Sequence, residues 1–343
     1  MTAKIQAIEY YLPEAVLTND QLTTAYPDWS VEKIGKKTGV YARHIAGEKE
    51  CASDLAVKAA RKLIHATGIS ADRIEYLLFC TQSPDYYLPT SACLIQDRLG
   101  LGTHVGALDF NLGCSGYIYG LSIAKGLVES GQAHTILLLT AETYSKYIHP
   151  EDRSVRTIFG DAATATLIVG EDDNERESES AIGPFVFGTD GAGAENLIVP
   201  VGGQRYPDLA SYLDANPSSQ CAEIPGNYLC MNGSAIFNFT LQVVPRCLDQ
   251  LLKKCGKEMG EIDRFIFHQA NKFMLEHLRQ KLKIPKEKYY LNIADFGNTV
   301  SCSIPIALRQ AQMDRWLRPG HLVMLVGFGV GYSWGGTLVR LAS

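Results

Sequence analysis

An α/β fold made of two similar halves is predicted by three features of this sequence. Short apolar runs alternate with amphipathic helical stretches along most of the chain. The order of these runs in the first half returns in the second. Between the halves lies GEDDNERESES, an acidic polar stretch near residues 170–180, which puts a boundary there and divides the chain into residues 1–172 and 173–343. Strands that alternate with helices point to parallel sheets covered by helices, and matching halves point to duplication.

In the first half, ASDLAVKAARKLIHA (52–66) has helical apolar spacing and leads into ADRIEYLLFCTQ (71–82), a short strand behind an acidic turn. TSACLIQDRL (90–99) reads as a helix. GALDFNLGCSG (106–116) reads as a strand running into a turn of small residues, with a helix in YIYGLSIAKGLVESG (117–131) after it. HTILLLTAE (134–142) and ATATLIVGE (163–171) are apolar strands that close the half.

The second half repeats this order. IFNFTLQVVPRCLDQLLKKCG (236–256) precedes GEIDRFIFHQA (260–270), and FMLEHLRQKL (273–282) reads as a helix. YYLNIADFGNTVS (289–301) is the expected strand and turn, and IPIALRQAQMDRWL (304–317) the helix behind it. HLVMLVGFG (321–329) and GTLVRLAS (336–343) are the closing strands. Residues 202–226, rich in Gly, Pro, Ser and Asn, read as a surface excursion of the second half. GFGVGYSWGG (327–336) superficially resembles a dinucleotide fingerprint. A strand follows it rather than a helix, so it reads as a glycine-rich turn beside a site.

The 343 residues suit one large or two tightly packed domains. A net charge of -5 gives no basic footprint for nucleic acid. The N-terminus reads as neither a signal peptide nor a membrane span, and no apolar run reaches the length of a span, so a soluble cytoplasmic protein is expected. The nine cysteines include no C-x-x-C pair, so no metal site is expected, and nine free thiols, mostly buried, are.

Cys114 lies between a strand ending near Phe110 and the start of a helix. A thiol there faces unpaired backbone N–H groups and the positive end of the helix dipole, which favour the thiolate. Gly113 and Gly116 are read as leaving room for substrate. A buried structural cysteine in a tight turn fits the same placement, so the partners decide. His268 stands at the carboxyl end of a strand, where open α/β sheets bind ligands. Asn298 occupies the turn that echoes that of Cys114, although turn asparagines are common. Pseudo-two-fold symmetry would bring all three turns to one interface. A papain-like protease also orders Cys, His and Asn this way, but the duplicated pattern has no place in it.

With KKTGVYARHIA, LDFNLGCSGYIYGL, RTIFGDAATATLI, HQAN, FGNTVSCSIPIAL and GFGVGYSWGG, the chain resembles the β-ketoacyl-acyl-carrier-protein synthase III family of thiolase-like condensing enzymes over nearly its whole length. The resemblance implies a duplicated thiolase-like fold with five αβαβα layers and a homodimer. It implies an acyltransferase of fatty acid or related acyl-chain biosynthesis, with acyl-CoA or acyl-carrier protein and malonyl-carrier protein as substrates and with no cofactor. Cys114, His268 and Asn298 match the family's catalytic residues. The backbone of Cys114 and Val330 matches its oxyanion donors. Gln269, Ala270, Asn271, Lys272 and Phe273 match its carrier-binding stretch. Lys33, Lys37, Arg153 and Asn271 match its donor entrance, and Leu88 and Phe328 its acyl pocket, Leu88 reaching in from the neighbouring subunit. At Lys33 the family usually has an aromatic residue, at Lys37 often arginine, and at Val330 commonly glycine. Transfer from the cysteine to a hydroxyl or amine acceptor on the same fold is the alternative.

Overall fold

The computed structural model describes residues 1–172, 182–217, 219, 221 and 227–340. The boundary expected between residues 172 and 173 falls at the edge of a stretch outside the described residues. In chain order the elements are β1 (Thr2–Tyr11), β2 (Ala15–Thr18), α1 (Asn19–Ala25), α2 (Val31–Thr38), β3 (Ala42–Ile45), α3 (Ala52–Thr67), β4 (Tyr76–Cys80), α4 (Ser91–Leu99), β5 (Gly106–Phe110), α5 (Gly116–Glu129), β6 (Thr135–Glu142), α6 (Arg153–Arg156) and β7 (Ala162–Glu171). There follow β8 (Ile182–Thr189), β9 (Leu197–Ile198), α7 (Leu209–Ala215), β10 (Cys230–Met231), α8 (Gly233–Cys255), β11 (Arg264–Phe267), α9 (Lys272–Lys281), α10 (Ser303–Met313), β12 (Leu322–Gly329) and β13 (Ser333–Arg340).

Local chemistry sets many of the helix ends. Ser30 and Asn271 cap α2 and α9 with their side chains, and Asn232 caps α8. Gly39, Gly68 and Gly256 end α2, α3 and α8 in the left-handed conformation.

The strands are continuous apolar runs because both faces of each sheet are covered. In the first half Leu77, Phe79, Leu137 and Leu139 pack under α3, while Leu78 and Leu138 face the other way onto α5. In the second half Phe265, Phe267, Met324 and Val326 pack under α8 and α9, while Ile266, Val323 and Leu325 face α5 and α10. Helices α5 and α10 thus form a shared middle layer, buried against both sheets. The result is five layers: α3 and α4, a sheet, α5 and α10, a sheet, α8 and α9. This is the architecture that the family resemblance implies.

The sheet orders match. The first is β1-β7-β6-β4-β5 and the second is β8-β13-β12-β11. Four expectations are corrected. The sheets are mixed rather than parallel: β4 pairs in parallel with β5 and β6, and β11 with β12, whereas β7 and β13 run antiparallel to their neighbours. The β12–β13 connection is a hairpin, which forces that direction. The glycine-rich turn shrinks to residues 330–332, because the rest of 327–336 lies in the two strands of the hairpin. The expected strand at 289–293 does not form: only Tyr289 bridges to Phe265. The side-chain amide of Gln269 donates to the Phe267 and Tyr290 carbonyls and accepts from the Asn292 N–H, so it takes the backbone groups a ladder needs.

The fourth correction concerns the thiols. Cys221 and Cys230 form a disulfide with Cα atoms 5.5 Å apart, leaving seven free cysteines rather than nine. The pair closes a small lobe in the expected excursion, where Val201 and Tyr212 are buried with the two sulfurs. Among the described residues no helix is long and apolar enough to cross a membrane.

Candidate active site

A cavity of about 800 Å³ opens where the two halves meet, and Cys114, His268 and Asn298 all line it. Cys114 follows β5 in a tight turn held by the Gly116 N–H on the Gly113 carbonyl, 2.8 Å. It lies two residues ahead of α5, at the positive end of that helix. The N–H groups of Val330 and of Cys114 itself reach its sulfur and pull its pKa down. Burial outweighs them and, with the nearby Glu142 carboxyl, pushes the thiol up to about 12. Cys114 is therefore held as a neutral thiol, not the thiolate expected from its helix end alone.

Gly113 and Gly116 are not vacant for substrate. A side chain at Gly113 would meet Gln82 and, at 2.6 Å, Val330; one at Gly116 would meet Cys80. The glycine that faces the nucleophile is Gly329, where an added Cβ would stand 2.8 Å from both Cβ and Sγ of Cys114. Val330 has no positive φ, so its backbone angle is one that a β-branched residue accepts.

His268 continues the pairing of β11, its N–H donating to the Val326 carbonyl at 2.9 Å. The ring is buried, edge-on to Phe328, with centroids 5.5 Å apart. Its Nδ1 lies 2.7 Å from the Ser303 hydroxyl, and that oxygen also accepts the Gln269 N–H at 3.3 Å. Where Ser303 gives its own proton to Nδ1, the ring hydrogen stands on Nε2. Burial pushes the His268 pKa down to about 3, against a smaller upward pull from the Val300 backbone. The ring is neutral through the physiological range.

Asn298 is held by the opposite half. Its N–H donates to the Ile158 carbonyl at 2.9 Å and its carbonyl accepts the Gly160 N–H at 3.0 Å. The preceding Gly297 has φ +67, and a Cβ there would stand 2.6 Å from the Ile158 carbonyl oxygen. The Asn298 side-chain oxygen accepts the Val300 N–H at 2.9 Å, so its amide NH2 is the group left to face a ligand. The buried Arg43 fixes the 157–160 segment from behind, bonding the Thr157 carbonyl at 3.0 Å and Asn19 at 2.9 Å.

The remaining expected residues divide. Ala270, Asn271 and Phe273 line the cavity, and Lys272 and Phe273 are exposed beside it. Gln269 is buried and spent on backbone groups, so it presents nothing to a carrier; this corrects the sequence reading. Lys37 lines the mouth, with Lys33 one turn away, and both ammonium groups lie over Trp29, at 5.2 and 5.5 Å from the ring centroid. Arg153 stacks on Tyr26 next to the lining Ser154. Phe328 lines the cavity but packs with the core under α8; the apolar group around Cys114 is instead Tyr144, Ile148, Val155, Phe159, Leu197, Leu229 and Val300. Leu88 is 82% exposed and does not line the cavity that holds Cys114.

Sequence reasoning did not single out Trp29, Arg43, Glu142 or Ser303. Trp29 stands just before the cap of α2, where an aromatic beside Lys33 and Lys37 was the available signal. Ser303 lies in the quoted FGNTVSCSIPIAL segment without a role of its own.

The model of the 3-oxoacyl-[acyl-carrier-protein] synthase III family matches residues 108–191, and that of the family's C-terminal region residues 252–341. The chain is 36% identical to the β-ketoacyl-[acyl-carrier-protein] synthase III 3 of Streptomyces coelicolor, over 94% of this chain and 92% of the relative. It is 34% identical to the β-ketoacyl-[acyl-carrier-protein] synthase III of Clostridium perfringens, over 99% of both. A crystal structure of a 3-oxoacyl-(acyl-carrier-protein) synthase III superposes with a TM-score of 0.93 at 51% identity, covering 99% of this chain and 100% of that one.

Proposed function

The chain belongs to the 3-oxoacyl-[acyl-carrier-protein] synthase III family, and from that premise we propose that it joins an acyl group held on Cys114 to a malonyl group on acyl carrier protein, with loss of CO2. The observation that carries this reading is the convergence of Cys114, His268 and Asn298 on one cavity, with two backbone N–H groups at the sulfur.

Cys114 attacks the carbonyl of an acyl thioester. The oxyanion formed is within the reach of the Cys114 and Val330 N–H groups, and the thiol proton leaves with the departing thiol. The malonyl thioester then loses CO2, and negative charge collects on its thioester oxygen. Two neutral donors, His268 Nε2–H and the Asn298 amide, suit that oxygen. Because both are neutral, neither must first gain a proton. The carbanion attacks the acyl carbonyl, and the Cys114 sulfur departs and takes up a proton. Only protons and electron pairs move, so the steps call on no redox group or metal.

The mouth suits an acidic carrier. Lys33, Lys36 and Lys37 are exposed on α2, and Lys272 and Phe273 at the start of the adjoining α9. Bulk charge is -5, so this patch is local. Tyr86, Tyr87 and Leu88, all exposed, suit a homodimer in which this loop meets the partner. A cytoplasmic site of action fits fatty acid or related acyl-chain synthesis.

Intact-mass analysis after incubation with acyl-CoA and acyl-carrier thioesters tests the reading. An acyl adduct on the wild type and none on Cys114→Ala is expected. His268→Ala and Asn298→Ala should still acylate but release CO2 from malonyl carrier at least about a hundredfold more slowly, without additive losses. An adduct that persists in Cys114→Ala sinks the nucleophile assignment.

A further inference from the structure

Glu142 ends β6 as a wholly buried carboxyl, and the reaction as derived makes no use of it. One oxygen accepts the Ser301 hydroxyl at 2.8 Å. The other accepts the Gln82 N–H at 3.0 Å and the Ser83 hydroxyl at 3.3 Å. Ser301 lies in the single helical turn Val300–Cys302, which begins two residues after Asn298. Gln82 reaches toward the nucleophile: its side chain bonds Asn111 at 3.0 Å and packs on Gly113, beside Cys114. One carboxyl therefore joins the turn that carries Asn298, from the second half, to the segment that supports the turn of Cys114, from the first.

We propose that Glu142 is the positioning residue that holds the Asn298 turn in register with Cys114, acting through Ser301. The inference rests on the function proposed above. The groups that face Glu142 are the thiols of Cys80, Cys114 and Cys302, the phenols of Tyr144 and Tyr147, and the carboxyl of Asp161. Thiols and phenols are neutral when protonated and offer no counter-charge. Burial pushes the Glu142 carboxyl up to about 8, offset in part by the donors from Gln82, Ser301 and Ser83. In the acid form its hydroxyl needs an acceptor, and the rotatable hydroxyls of Ser301 and Ser83 can accept as well as donate.

The neutral form also matters to the chemistry. A carboxylate here raises the cost of a thiolate at Cys114, and the negative charge on the enolate oxygen arises in the same cavity. An acid clamps the two turns without adding that charge. As pH rises through the Glu142 pKa, the clamp becomes an anion and opposes ionisation of Cys114.

The test uses Glu142→Gln, Glu142→Ala and Ser301→Ala in the full-length protein. Three quantities are read: acylation of Cys114, condensation, and the pH profile of Cys114 alkylation by iodoacetamide, measured on the Cys114 peptide. Glu142→Ala and Ser301→Ala should slow condensation about tenfold or more while slowing acylation less. Glu142→Gln, which keeps the shape without the charge, should restore condensation to within about threefold of wild type near neutral pH. It should alkylate like wild type near about pH 6.5 and at least about threefold faster near about pH 9.5, the ratio that half a pKa unit gives. The proposal is overturned if Glu142→Gln condenses no better than Glu142→Ala, if the Glu142→Gln and wild-type alkylation profiles superimpose, or if Ser301→Ala condenses at the wild-type rate. Should Glu142→Ala fail to fold, Ser301→Ala and Glu142→Gln probe the same contact from either side. A wild type that acylates but does not condense refutes the proposed function, while the alkylation profiles still judge Glu142.

Discussion

His268 is kept neutral by its surroundings, and this has a consequence for stability. Its pKa falls from the ordinary 6.5 to about 3 because burial disfavours the imidazolium. Between those values the unfolded chain binds a proton that the native ring refuses. Stability contributed at this site is therefore lost as pH drops from about 6.5 toward 3. His268→Gln removes that contribution. Urea midpoints measured from neutral pH down to about pH 4 should fall more steeply for wild type than for His268→Gln. Parallel curves would mean that the ring is protonated in the fold. The neutral ring was not legible in the sequence, which offers no way to see Ser303 at Nδ1 or the burial. Cys114, His268 and Asn298 were legible as strand-end and turn residues. Glu142 was not: one acid closing the apolar run HTILLLTAE looks like the first exposed residue of a loop, and only the fold turns it inward.

The hairpin of β12 and β13 delivers two parts of the site at once. Val330, in its turn, supplies an N–H to the Cys114 sulfur, and Gly329 lets the strand pass against that sulfur. A methyl at Gly329 would stand 2.8 Å from Cβ and Sγ of Cys114, so the thiol must rotate or the strand must move. Gly329 carries no positive φ, so alanine meets a contact problem and not a backbone one. Gly329→Ala should fold normally and acylate about a hundredfold more slowly, the cost of misplacing a reacting atom by about 1 Å. Stopped-flow acylation with circular dichroism checks this; a wild-type rate would show that the thiol has room to turn. The sequence shows the glycines but not which one faces Cys114, since that depends on register: Gly329 pairs with Ser333, and Phe328 with Trp334. The lost strand at 289–293 has another cause: its apolar run looks like a strand, yet the Gln269 side chain occupies the backbone groups that a partner would need. Periodicity reports side-chain patterning and is silent about such competition for hydrogen bonds.

Duplication organises the molecule, and the repeated sheet order puts the two middle helices, α5 and α10, in one layer, with the turns that precede them, carrying Cys114 and Asn298, at the same cavity. That much was visible in the repeat of strand and helix signals along the chain. What the fold leaves uncovered favours self-association. Tyr86, Tyr87 and Leu88 are 62%, 81% and 82% exposed, and among the described residues no other large hydrophobic side chains are exposed three in succession. Covering Leu88 alone is worth about 1.5–3 kcal/mol, and the two tyrosines add area and hydroxyl partners. A chain that leaves them in water loses that stabilisation, so a second copy is their expected cover. Sedimentation should show a dimer for wild type and a larger monomer fraction for Tyr87→Ser with Leu88→Ser. If the loop reaches the partner's apolar group around Cys114, its size also sets the acyl length accepted. Leu88→Phe, with the dimer intact, should then shift single-turnover acylation toward acetyl and away from medium straight or branched chains. Each methylene at stake is worth about 1 kcal/mol, so the shift should be graded, about fivefold or more per carbon across the series. A monomeric wild type would end both expectations. A dimer whose length profile is unchanged in Leu88→Phe would confine the loop to packing and leave chain length to the residues around Cys114, Phe159 and Leu197 among them.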